Sequence, residues 1–230
     1  MIEKQFSSTG QVTQPTHSVS GRSVLLAGAT GLVGQHVLKQ LEADPSVTRI
    51  VVLTRRPAPS TSRVQAHVVD FDKLEAYSSL FSVDTIICAL GTTMKQAGSK
   101  EAFRRVDFDY PLDMARIGVA RGARHFLLVS AAGASAESRI FYSRVKGEVE
   151  NALRRMAYRS VTVIRPSILV GRRKEFRLFE RLAMVVGEVV PGRYRPVLAR
   201  DVARALVAAA REDTPGLRII ESEAIKGMAK

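Results

Sequence analysis

Short runs of β-branched and aliphatic residues alternate along the chain with longer segments whose apolar residues recur every three or four positions. That alternation predicts parallel strands joined by helices. Ser23–Ala27 reads as the first strand, Arg49–Thr54 as the second, Val64–Val69 as the third and Thr85–Ala89 as the fourth. His125–Ser130 and Val161–Arg165 read as the fifth and sixth, and Leu217–Glu221 as a last one. The first helix is expected over Leu32–Glu42, where Val33, Val37, Leu38 and Leu41 share a face. Further helices are expected over Ala102–Arg121, Tyr142–Met156 and Asp201–Ala210. The expected architecture is α/β: a Rossmann-type doubly wound parallel sheet in a single domain, with helices on both faces.

Two stretches fall outside this rhythm. Residues 1–20 are polar, without an apolar core or arginine enrichment, so they read as a flexible N-terminal tail rather than a targeting peptide. Residues 21–230 then form the nucleotide-binding domain. Within it the irregular segment 171–200, with Pro191-Gly192 and Pro196, reads as a small lid or insertion near the carboxyl ends of the strands.

Composition narrows the picture further. With 46% hydrophobic residues in 230 positions, the chain can bury one large core. No run reaches the roughly 18 apolar residues of a membrane span. The lone Cys88 sits in the apolar run Thr85-Ile86-Ile87-Cys88, reads as a small buried hydrophobe, and points to a reducing, cytoplasmic location. The net charge of +13 invites a nucleic-acid reading, but the basic residues are dispersed and no nucleic-acid motif accompanies them. The charge is read instead as a basic surface with a site for phosphates. The four histidines show no metal spacing, and no metal site is expected.

The densest chemistry lies just after the first strand, in Gly28-Ala29-Thr30-Gly31-Leu32-Val33-Gly34. A glycine triplet between a strand and a helix is the setting of a dinucleotide phosphate turn. Gly28 permits the tight turn, Gly31 lets backbone approach a pyrophosphate, and Gly34 lets helix and strand close together. The helix start presents unpaired amides and the positive end of its dipole, and Thr30 adds a hydroxyl. Sites for NAD(H) carry an acid about twenty residues further on, for the ribose hydroxyls. Here the second strand ends in Leu53-Thr54-Arg55-Arg56-Pro57. Two guanidiniums suit a 2′-phosphate, so NADP(H) is favoured over NAD(H).

Tyr142 and Lys146 stand four residues apart in a predicted helix and so share a face. A phenol made more acidic by a nearby ammonium suits proton transfer at a carbonyl or alcohol. The pair follows a strand that ends in Ser130.

Taken together, these features resemble the short-chain dehydrogenase/reductase superfamily, in particular its atypical single-domain members. The strings Val69-Asp70-Phe71-Asp72-Lys73-Leu74, Leu90-Gly91-Thr92-Thr93, Arg105-Val106-Asp107-Phe108-Asp109-Tyr110, Val145-Lys146-Gly147-Glu148-Val149-Glu150 and Arg165-Pro166 are most similar to the Tat-interacting oxidoreductase-like family, which is related to the NAD-dependent epimerases and dehydratases. The resemblance implies a diphosphate turn at Thr30, Gly31, Leu32 and Val33, and a 2′-phosphate grip at Arg55 and Arg56. It implies adenine contacts at Asp70 and Phe71, and ribose neighbours at Leu90 and Gly91. Tyr142 becomes the proton donor and Lys146 its partner. Pro166 to Leu169 take the nicotinamide end, and Arg177 corresponds to a basic lid residue on the cofactor. The superfamily's catalytic serine lies one or two positions beyond Ser130, where Ala131 and Ala132 stand here; Ser130 or Ser135 would have to substitute. Asp107 stands near the place of a proton-relaying asparagine.

Two functions follow from this reading. The first is an NADP(H)-dependent oxidoreductase acting on a small-molecule carbonyl or alcohol, with Tyr142, Lys146 and Ser130 catalytic. The second is a non-catalytic NADP(H)-binding module that regulates a protein partner. A sugar-nucleotide epimerase is a lesser alternative, because the chain has no room for a large C-terminal substrate domain.

Overall fold

The central strands obey their sequence pattern because each has to be apolar on both sides. The computed structural model describes residues 21–170 and 195–228. In β1 (Arg22–Ala27), Val24 and Leu26 enter one buried cluster while Leu25 and Ala27 enter another on the opposite face. In β5 (His125–Val129), Leu127 and Val129 face one way and Phe126 and Leu128 the other. Such double burial is what a continuous aliphatic run in a parallel sheet achieves. Each fully buried leucine contributes about 1.5–3 kcal/mol.

Between them run β2 (Val47–Thr54), β3 (Val64–Val68) and β4 (Thr85–Cys88). After β5 come β6 (Ser160–Arg165), β7 (Leu169–Val170), β8 (Val197–Leu198) and β9 (Gly216–Glu221). Seven strands make one parallel sheet in the order β3-β2-β1-β4-β5-β6-β9. The Rossmann-type α/β architecture is therefore as expected, and the predicted strands lie within two residues of the observed ones. The additional β7 and β8 pair with each other in a two-stranded parallel sheet.

One face of the main sheet is covered by α1 (Gly34–Ala43) and a later helix over Ala199–Glu212, through Val37, Leu41, Val202 and Leu206. The other face carries a 3₁₀ segment (Phe71–Phe81) and further helices. Those are α4 (Tyr110–Ala120) and α5 (Phe141–Arg154), with the short α2 (Met94–Ala97) and α3 (Lys100–Arg104) leading into α4, and the Ala199–Glu212 helix is α6. Met114, Val149 and Leu153 pack there against Phe126 and Leu128. A short α7 (Ser222–Met228) follows β9.

The expected helix over Ala102–Arg121 starts earlier and is not uniform. Gly98, at φ +80°, ends α2, and the Ser99 hydroxyl then accepts from the Ala102 amide at 3.1 Å to start α3. From α3 the chain widens into a π-helical turn over Arg105–Asp109 before resuming as α4. Such turns interrupt a helix at the cost of regular packing and are frequent at functional sites.

β1 lies between β2 and β4, so the chain leaves its centre in opposite directions on either side. A crevice opens there, at the carboxyl ends of β1 and β4. The tail over residues 1–20 and most of the expected lid, residues 171–194, lie outside the described residues. At the end of that stretch, 197–200 is regular, forming β8 and the start of α6. Among the described residues no helix is long and apolar enough to cross a membrane.

Candidate functional site

The crevice encloses about 490 Å³ of space open to solvent. Gly28, Ala29, Thr30 and Gly31 line it from the first turn, Leu53, Thr54 and Arg55 from the end of β2, and Ala89, Leu90 and Gly91 from the end of β4. Phe71 lines it as well.

Backbone proximity fixes the shape of this turn. Gly28 has φ +87°, and a Cβ there would lie 2.4 Å from the Ala89 carbonyl oxygen. A Cβ on Gly34 would lie 2.0 Å from the Gly28 carbonyl oxygen. Neither contact is sterically possible, so both glycines are required for strand, turn and helix to close as they do. At Gly31 a Cβ would come within 3.2 Å of the same carbonyl, tight but not prohibitive. The Gly31 amide donates to Gly28 O at 2.9 Å, and the Gln35 amide to Gly31 O at 3.1 Å. The His36 amide likewise donates to Val33 O at 3.0 Å, so among the described residues the amides left without a backbone acceptor here are those of Leu32, Val33 and Gly34, at the start of the helix. Val33 is buried in the core, so its side chain serves packing and its amide alone can face a ligand; Leu32 is exposed.

Arg55 lines the crevice; Arg56 is exposed and does not line it. Its carbonyl accepts from the Thr54 hydroxyl, which shapes the bend after β2. Among the described residues neither guanidinium has an ion-pair partner. The Asp70 carboxylate accepts from the Asp72 amide at 3.0 Å and caps the 3₁₀ segment. Phe71 is buried against Tyr110, ring centroids 5.4 Å apart.

At the other end of the crevice stands a buried ion pair. Lys146, on α5, lies 2.7 Å from Asp107, in the π-helical turn, and their side chains are 5% and 1% exposed. The second carboxylate oxygen of Asp107 accepts from the Thr92 amide at 2.9 Å. Burial works against the Lys146 charge, but the Asp107 carboxylate and then Tyr142 outweigh it and hold the ammonium above its usual pKa. A Cβ on Gly91 would meet Asp107 at 3.5 Å and the Lys146 ammonium at 4.0 Å, so the pair adjoins the crevice at the end of β4. Tyr142 is 36% exposed and its ring packs 5.5 Å from that of Phe103. Gly147 lets the loop after β5 reach α5, since a Cβ there would lie 2.1 Å from the Ala136 amide nitrogen.

Ser130 is drawn elsewhere. Its hydroxyl donates to Glu150, which lies one turn after Lys146 on α5. Arg165 donates to Glu150 at 3.1 and 2.5 Å and to Glu221 at 2.8 Å, joining α5, β6 and β9. Hydrogen bonds and charge from Glu150 raise the arginine's pKa further. Ser135 is exposed, and its hydroxyl accepts from the Glu137 amide at 3.3 Å. Ala131 is buried, and the Ala132 amide donates to the Pro166 carbonyl at 2.9 Å. Leu169 lies in β7, and Arg177 lies outside the described residues. Cys88 is fully buried and burial pushes its thiol up to about 12, in keeping with a packing role.

Sequence pattern alone passed over Glu150, Arg165, Thr92 and Phe103. Glu150 had a signal: it lies one helical turn beyond Lys146, on the face already given to chemistry. Arg165 and Thr92 stand in strings that carry the family resemblance, but their spacing gave no sign of these bonds, because their partners come from distant segments.

Comparison with known proteins agrees with this geometry. The sequence profile of the NAD dependent epimerase/dehydratase family matches residues 24–219. The chain is 34% identical over 222 residues to "Protein fmp52-1, mitochondrial" of Aspergillus terreus, covering 90% of this chain and 93% of that protein. It is 36% identical over 170 residues to "Protein HTATIP2" of Rattus norvegicus, covering 72% of this chain and 70% of that protein. Among solved structures, MoeE5 in complex with UDP-glucose and NAD has a TM-score of 0.66 at 17% identity, over 90% of this chain and 80% of that one. The oxidoreductase ylbE from Lactococcus lactis also has a TM-score of 0.66, at 19% identity, over 90% and 94%. At such identity these structures speak for the fold alone. The expected cytoplasmic location is overturned: several relatives, including those of Aspergillus terreus and Candida albicans, are named mitochondrial. The physical reason is that a buried free thiol separates reducing from oxidising surroundings but does not choose among reducing compartments.

Proposed function

The chain belongs to the NAD-dependent epimerase/dehydratase family, and from that premise we propose that it is an NADP(H)-dependent oxidoreductase acting on a small carbonyl or alcohol. The observation that carries this reading is the continuity of one crevice. It begins at the glycine turn and Arg55 and ends at Gly91, beside the buried Lys146.

The residues present fit a dinucleotide phosphate. The Leu32, Val33 and Gly34 amides at the helix start and the Thr30 hydroxyl are donors for a diphosphate. Arg55 carries an uncompensated guanidinium at the crevice wall, the chemistry that a 2′-phosphate requires. Phe71 offers an apolar surface for adenine, and Leu90 and Gly91 border the ribose position. The chemistry supplied by the bound cofactor is hydride transfer. Tyr142 gives or takes the proton at the substrate oxygen, and Lys146 holds the ribose side of the site through its ammonium. Asp107 fixes that ammonium in place and partly offsets its charge.

A second reading rests on Ser130. Its hydroxyl is engaged with Glu150, and Ala131 and Ala132 bring no hydroxyl to the place where a serine would polarise the substrate. That arrangement favours a non-catalytic NADP(H)-binding module that controls a protein partner. The two readings separate in one experiment, a panel of aldehydes and ketones assayed for NADPH oxidation with Tyr142→Phe as control. The oxidoreductase reading expects turnover that falls at least about a hundredfold in the variant. Tight NADPH binding without turnover of any carbonyl supports the module instead.

A further inference from the structure

The rim beside Tyr142 carries more positive charge than its own acids can balance. Phe141, adjacent to Tyr142 at the start of α5, packs 5.8 Å from Phe103, the same ring that Tyr142 meets at 5.5 Å. Two cations lie near the Phe141 ring: the Lys100 ammonium at 5.6 Å from its centroid and the Arg144 guanidinium at 5.7 Å. Arg144 is held in place by donating to the Ser138 carbonyl at 2.9 Å.

The nearby carboxylates are already engaged. Glu148 pairs closely with Arg104 and lies 4.0 Å from Arg144, so one acid serves two guanidiniums. Its own amide and Ser99 hold the Glu101 carboxylate below its usual pKa, with a smaller contribution from the Lys100 charge. Among the described residues no carboxylate lies within ion-pair distance of Lys100. The first turn of α5 contains no acidic residue and no side-chain cap, so the helix adds to the positive potential there rather than relieving it. Cations against an aromatic face are partly desolvated, which strengthens their attraction for an anion. Apolar surface adjoins them at Ile140, which is 66% exposed and whose carbonyl accepts from the Arg144 amide at 2.9 Å.

We infer that the substrate is an anionic carbonyl compound whose carboxylate or phosphate is received by Lys100 and Arg144 while its carbonyl meets Tyr142. The inference rests on the oxidoreductase reading of Tyr142 and names the substrate class for that site. An apolar body between the two groups would lie along Ile140. The charged rim sets orientation, so that the carbonyl rather than the acid end faces the proton donor.

The test uses three aldehydes with one aromatic core: benzaldehyde, para-carboxybenzaldehyde and para-formylphenyl phosphate. Reduction by the full chain with NADPH should favour one of the charged members over benzaldehyde in kcat/KM. That preference should fall about tenfold in Lys100→Gln and in Arg144→Gln, mostly through KM, and recover in Lys100→Arg. The charged member that wins identifies carboxylate or phosphate as the group received. NADPH binding, followed by its fluorescence, reports that each variant is folded. Equal kcat/KM for charged and neutral members in the wild-type chain overturns the inference. If none of the three turns over, calorimetric titration of para-carboxybenzaldehyde and para-formylphenyl phosphate into the protein with NADP⁺ decides. Binding that is lost in Lys100→Gln keeps the anion site and removes the oxidoreductase reading; no binding removes the inference itself.

Discussion

The two ends of the crevice are built by different means. At the phosphate end, one contiguous segment of seven residues does the work with its backbone, and Gly28 and Gly34 are held there by contacts that no Cβ could share. At the end where the proposal puts the nicotinamide, side chains from separate elements meet: Asp107 from the π-helical turn, Thr92 after β4, Lys146 and Tyr142 on α5. The first is a local device that follows from one stretch of sequence. The second is an assembly in which each member depends on partners far along the chain. The lesson is that grip and reactivity can vary independently on one fold. Here the glycine turn closes as its pattern predicts, while Ala131, Ala132 and Asp107 stand where the family resemblance implies a serine and an asparagine.

The largest effect should come from breaking the local device. In Gly34→Val, side-chain atoms would have to occupy space held by the Gly28 carbonyl, which strand and helix packing prevent from moving. We expect a loss of several kcal/mol in stability, read by denaturant unfolding, together with loss of detectable NADPH binding. A variant that unfolds and binds as the wild type does would show that the turn tolerates opening.

Breaking the assembly should cost somewhat less and act on another property. Asp107→Leu leaves the Lys146 ammonium buried without its counter-charge, at an expected cost of about 3–5 kcal/mol. Asp107→Asn keeps the shape and the acceptor for the Thr92 amide and should cost less. Equal stability of the leucine variant and the wild type would mean that the pair is not what holds Lys146. A smaller change should sharpen the comparison by restoring what the reactive end lacks. Ala131→Ser places a hydroxyl beyond Ser130, outside the Glu150 network. Its kcat for the best aldehyde of the panel should rise about tenfold with little change in NADPH affinity. An unchanged kcat would assign substrate polarisation to another group.

The same contrast explains what could be read from sequence. The strands were legible because double-sided burial writes an uninterrupted aliphatic run, as in Ile50-Val51-Val52-Leu53. The glycine turn was legible because its pattern, and the Gly28–Gly34 contact that closes it, lie within seven residues, although the carbonyl that excludes a Cβ at Gly28 belongs to Ala89. The π-helical turn was not: Arg105-Val106-Asp107-Phe108-Asp109 has a helical pattern, and nothing local in it marks the widening or the pairing of Asp107 with Lys146, 39 positions away. The Ser130–Glu150–Arg165 network was hidden for the same reason, since it joins segments separated by up to 35 positions, Ser130 to Arg165. β7 and β8 escaped because two-residue strands carry no period. Compartment was read wrongly because the thiol chemistry of one cysteine is too coarse to choose it.

The claim on which the rest depends is that the crevice holds NADP(H) by its glycine turn and by the guanidinium at its wall. The direct measurement is a fluorescence titration of NADPH and of NADH against the wild-type chain and against Arg55→Ala combined with Arg56→Ala. The account predicts tighter binding of NADPH than of NADH, and a loss in the variant of about ten- to a hundredfold for NADPH with little loss for NADH. Equal losses for the two cofactors, or equal affinities in the wild type, would contradict it.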